Sequence, residues 1–234
     1  MNIGQCLQLL STVSDMTDDR KSGIALIAGS VGGIITMAMH PVASPGSLTP
    51  GQVARLMSLS GAVHALAMVS IFLLFLGACG LTRRIAASDR IAFAAIVAFG
   101  FACVAMLIAP AVSGFIVPNL MQAMARDLPA NGHQWEMIIY SIFQINQAFA
   151  SIYSVAASLA VILWSVSALR NRGFGRGVAI YGCIIAPLVI LAIGSGHVRL
   201  DVHGMAAVWL GQAIWFILVG SQLCSQPAKE ISQP

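Results

Sequence analysis

Histidine and methionine are the residues through which this chain could bind and position something. The histidines are His40, His64, His133, His197 and His203. When the apolar stretches of the sequence are threaded through a bilayer, all five fall on the same side. Met37, Met39, Met57, Met68, Met121, Met124, Met137 and Met205 land in that same half. An ionisable ring close to hydrocarbon is costly, so its presence points to function by default. Imidazole together with thioether suits copper, above all Cu(I), whereas imidazole alone suits zinc or haem iron. The spacing therefore predicts an outward-facing site with His40, His64 and His203 as ligands, supported by His197, Met37 and Met68. Copper, zinc or a single haem b, or a small polar ligand in their place, would be its occupant. A haem needs two imidazoles facing one another across a gap, with Gly32, Gly33, Ala62 and Ala65 supplying room. Tight ligand spacings of the HxxxH or HxH kind are absent. The same residues also fit a plainer description, of interfacial imidazoles and methionine as core filler.

A second polar constellation lies near residues 140–158. Tyr140, Gln144, Gln147, Ser151, Ser154 and Ser158 recur at alternating spacings of four and three, which puts them on one helix face. Asn146 and Tyr153 lie off that stripe. Amide groups facing lipid would be left unpaired, so the stripe must point into a bundle. There it serves helix–helix hydrogen bonding, or it lines a wet cavity open to the outside. On the second reading Tyr140, Gln144, Gln147, Ser151 and Trp209 form the cavity wall. Asp201 stands close enough in sequence to hold the ring of His203 or His197.

The elements that position these groups follow from composition. The chain is 58% hydrophobic and 9% charged, against about 25% charged in a soluble domain. Apolar runs at 22–42, 59–81, 91–118, 137–168, 177–197 and 203–224 each approach or exceed the ~20 residues a spanning helix needs. Nine Lys/Arg residues fall in the segments on the amino-terminal side and three, Arg55, Arg126 and Arg199, on the other. That bias predicts an all-α polytopic membrane protein, a six-transmembrane-helix bundle with N-in/C-in topology. Residues 1–21 are expected as a cytoplasmic extension, weakly ordered over 1–15, with 22–224 as the single membrane domain and 225–234 as a cytoplasmic tail. The expected location is the plasma (bacterial inner) membrane, with the histidines toward the outer side. The net charge of +4 comes from short clusters that set topology, so no nucleic-acid partner is expected.

Smaller signals set packing. Thr49-Pro50-Gly51-Gln52 reads as an N-cap, a first-turn proline and a capping-box glutamine, starting helix 2 near residue 50. Asp127–Gly132 reads as a turn-rich connection. Pro110 and Pro187 lie inside apolar runs and should kink them. Gly29 and Gly33 form a GxxxG pair, which packs helices within the bundle or joins a second copy or another membrane partner. Five scattered cysteines without a CxxC pair argue against a zinc knuckle or a structural disulfide. HExxH and GxSxG are absent. All eight carboxylates lie outside the apolar cores, which argues against ion-coupled transport. Two other classes of function remain beside the ligand-binding one. One is a structural or assembly subunit whose polar stripe serves packing alone. The other is an intramembrane enzyme in which a histidine-held metal activates water.

Overall fold

The computed structural model describes the backbone of residues 3–40, 50–86, 89–171 and 173–225, and the side chains of these apart from 3–17, 50, 52–54, 56, 86 and 125–132. Six α-helices follow in order: α1 Ile3–Ala38, α2 Pro50–Ala86, α3 Arg90–Ala111, α4 Val117–Asn171, α5 Arg176–Gly194 and α6 Val202–Ser225. A π-helical segment, Val112–Ile116, joins α3 to α4. No strand occurs among the described residues. Six segments are long and apolar enough to cross a bilayer: Asp18–Ala38, Met57–Ile85, Arg90–Met124, His133–Asn171, Arg176–Gly194 and Val202–Ser225. Each apolar run found in the sequence falls largely on one of them. Helix α1 begins at Ile3, so the backbone of residues 3–15, expected to be weakly ordered, continues the first helix.

Helix α2 does begin at Pro50, where fixed φ and a missing N–H fit a first helical turn. The capping residue Thr49 and the chain breakers Pro41, Pro45 and Gly46 lie outside the described residues. Helical backbone continues through 125–132, where a turn was expected. The chain nonetheless reverses between Met124 and His133, because Phe143 and Asn146 of α4 face Ser113 across one cavity. At the far end Ser167 and Asn171 of α4 reach Asp89 at the start of α3. Helix α5 ends on glycine: Gly196, at φ 74, takes the left-handed conformation that closes a helix.

Helix α1 packs between α2 and α6, while α4 packs on α3 and α5. Exposed apolar side chains encircle the bundle, among them Phe72, Phe93, Phe101 and Leu191. So broad an apolar surface, on six helices long enough to cross a bilayer, suggests a membrane protein. Among lipid tails burial alone does not drive helices together, so close packing and internal hydrogen bonds must hold them. Both are present. An added methyl on Gly29 would come 2.7 Å from the Ser70 carbonyl oxygen of α2. One on Gly33 would overlap the Trp209 indole of α6. Gly29 and Gly33 thus pack against α2 and α6 within the chain. Polar ties add to the packing: the Tyr153 hydroxyl donates to Gln212 Oε1 (2.8 Å), and Gln212 Nε2 donates to Ser158 Oγ (3.1 Å). Trp164 Nε1 donates to Thr82 Oγ1 at 3.0 Å.

Candidate functional site

The chemistry-bearing residues converge where α1 ends. His40 closes α1 and His64 projects from α2, and the two imidazoles meet edge-to-face with centroids 5.1 Å apart. His64 is buried. Its Nδ1 lies 2.6 Å from the Ser60 carbonyl oxygen. A carbonyl only accepts, so this contact calls for the proton on Nδ1, and in the neutral ring the lone pair then lies on Nε2. Anchoring of this kind orients the ring of a ligating histidine. The π-helical segment completes the seat. Pro110 lacks the N–H that would extend the α-helical ladder, and the wider turn follows it at Val112–Ile116. That turn brings Gly114 against His64, where any Cβ would overlap the histidine side chain.

Two cavities adjoin the imidazole pair. One, of about 280 Å³, is lined by Ser60, Val117, Ile139 and Ile142 beside the pair. The other, of about 300 Å³, is lined by Met37, Ala67, Met106, Gln147 and Met205, and by Asp201 of the loop before α6. His40, His64, Ser113, Phe143 and Asn146 border both, so the rings stand between them. Ser60 and Ala67 lie seven residues apart on α2, placing the second cavity about 10 Å further along the helix. Among the described residues, neither wall contains a lysine or arginine. The wall supplies electron pairs instead: two imidazoles, three thioethers, the amide oxygens of Asn146 and Gln147 and a carboxylate. Asn146 Oδ1 is buried with no hydrogen-bond partner among the described residues, an acceptor aimed at whatever fills the space.

Of the ligands read from the sequence, His40, His64 and Met37 come together at this site. His203 does not, because it sits in the exposed first turn of α6. His197 is exposed as well and pairs with Ser195 Oγ at 2.8 Å. Met68 is half-buried but borders neither cavity. Among the described residues no group of three or more His, Cys, Asp or Glu side chains gathers as a metal site. The gap required for a haem between facing imidazoles is missing too, since the two rings are in direct contact. Asp201 does not hold a histidine ring. Its Oδ1 accepts from the backbone N–H groups of His203 and Gly204 and caps α6, and these bonds, the Gly204 one foremost, hold its carboxyl below the usual range.

The polar stripe of α4 divides in the same way. Gln147 borders the cavity and donates from Nε2 to the Leu200 carbonyl oxygen at 2.9 Å. Ser154 and Ser158 are buried against α6. Tyr140 and Gln144 are exposed, and Ser151 bonds back to the Gln147 carbonyl oxygen of its own helix. Trp209 lies under the site without lining it, stacked on Tyr153 with centroids 5.7 Å apart. The buried face of α4 runs through Ala150, Tyr153, Ser154, Ala157 and Ser158, so the off-stripe residue Tyr153 shares it with the inner half of the stripe. Met106, one turn before Pro110, also escaped the sequence pattern. Its only signal was a sulfur close to a helix-breaking proline. No protein-family model, curated protein or solved structure matches the chain.

Proposed function

We propose that this is an integral membrane protein whose His40/His64 site binds a small cation reached from the outer side of the membrane. The observation that carries the reading is the pair of cavities meeting at two imidazoles, in walls rich in lone pairs and, among the described residues, empty of Lys and Arg. A cation entering this mostly apolar space finds a few convergent acceptors, where an anion would find no compensating charge. The buried, unpartnered Asn146 oxygen fits the same occupant, or a water that the cation carries. The outward direction rests on the positive-inside bias, which sets Arg83, Arg84, Arg90, Arg170 and Arg176 at the opposite end of the bundle from His40. In a bacterial cell that membrane is the inner one.

Access is the property to test. In a chain without its native cysteines, Ser113→Cys is expected to react with a membrane-impermeant thiol reagent applied to the outer face of right-side-out vesicles. It is not expected to react when the reagent is confined to the lumen. Reaction from the lumen alone, or from neither side, overturns the proposed site.

A further inference from the structure

We infer that the cation this site takes is a soft monovalent metal, Cu(I), held by imidazole nitrogen and methionine sulfur. The inference rests on the proposed cation site and adds its chemical class. Three methionines, Met37 of α1, Met106 of α3 and Met205 of α6, border one cavity together with His40 and His64. Methionine is an ordinary core filler, but here three from three helices border the same space as an anchored imidazole, the Met205 sulfur also receiving the Ser154 hydroxyl at 3.9 Å. Hard divalent ions call for several carboxylates and carbonyls, and zinc for three or four His, Cys or carboxylate ligands. Asp201 is the one carboxylate in this wall among the described residues, and its Oδ1 is already engaged in capping α6. Thioether sulfur selects Cu(I), and a two-nitrogen set completed by sulfur matches the preference of that ion. His64 is prepared for the role, since its Nδ1 proton is held by Ser60 and its Nε2 is the nitrogen left to bind. The ion needs no net charge from the protein beyond neutral ligands, which suits a site within an apolar bundle.

The experiment is anaerobic competition between the full-length protein in detergent and a chromogenic Cu(I) chelator, with Zn(II) as the contrasting ion. One Cu(I) per chain is expected to leave the chelator. Met106→Leu/Met205→Leu keeps core volume, so the fold should survive it. Outer partners of a metal ligand are worth about 10- to 100-fold in affinity, so losing two direct ligands should cost more than about 100-fold. X-ray absorption on the wild-type copper complex should show sulfur bound directly to the metal, a readout that needs no variant. Failure of the wild type to compete, equal competition by the double Leu variant, or a copper spectrum without sulfur each overturns the inference. If tetramethylammonium raises the thermal midpoint where Cu(I) does not, the copper class is wrong and the cation site stands. If the Ser113→Cys variant cannot be labelled from outside, the site itself falls.

Discussion

Single side chains decide whether this bundle closes around its site. Gly33 has no room for a Cβ because the Trp209 ring lies on it, and Trp209 in turn stacks on Tyr153. Gly33→Ala should force the indole aside and lower stability by about 1–3 kcal/mol, the usual cost of overpacking. A fall in the thermal midpoint in detergent, with a shift in tryptophan emission, checks this. Gln212 is the other telling residue, since it accepts from Tyr153 and donates to Ser158 in the buried interior. Gln212→Leu strands the Tyr153 hydroxyl and should cost about 1–2 kcal/mol. Adding Tyr153→Phe removes the stranded group, so the double variant should recover part of the loss. Additive losses in denaturation measurements would contradict the network. Residue type was the best guide the sequence offered, and it led to His40 and His64. His203 and His197 are exposed away from that pair, because proximity in sequence to a helix start says nothing about which way the turn faces.

Helices were the most legible feature of the sequence, because uninterrupted apolar length leaves the backbone few alternatives in lipid. The faces of α4 were harder to read. Its polar stripe is buried at Ser154 and Ser158 but exposed at Tyr140 and Gln144, and serine, which can satisfy itself on its own helix as Ser151 does, carries little directional information. The π-helical turn after Pro110 was not legible at all. A proline predicts a lost hydrogen bond, but only packing against α2 decides that the ladder widens to seat His64. The far end of the same helix pair is held by Asp89, which caps α3 through the Ile91 N–H and accepts from Ser167 Oγ and from Asn171 Nδ2. The hydrogen bond from Ser167 is the main cause holding its carboxyl below the ordinary range, followed by that from Ile91. A carboxyl whose folded value is lowered binds fewer protons folded than unfolded, so stability rises with pH across that interval. The contribution of Asp89 is therefore present above about pH 4 and disappears as acid protonates the folded carboxylate. Thermal midpoints measured through that acid range should fall less steeply for Asp89→Asn than for the wild type.

Across the whole molecule, the two ends of the bundle differ in chemistry. One end carries the arginine clusters, the Asp89 latch and the Arg84–Asp19 ion pair (3.3 Å). The other carries all five histidines and the cavities. The charge asymmetry was visible in the sequence, as was the gathering of histidine in one half. What lay beyond reach was which two imidazoles of the five would touch. That depends on α1 lying between α2 and α6, and no periodicity encodes the order of helices around a bundle. The claim on which the functional reading turns is that His64 presents an unprotonated Nε2 beside the His40 ring. Nitrogen-15 NMR of histidine-labelled protein in lipid nanodiscs tests it directly, with His64→Asn assigning the signal. The expected spectrum shows His64 protonated at Nδ1 and bare at Nε2, with a through-space contact to the His40 ring. An Nε2–H tautomer, or no contact between the two rings, would contradict it.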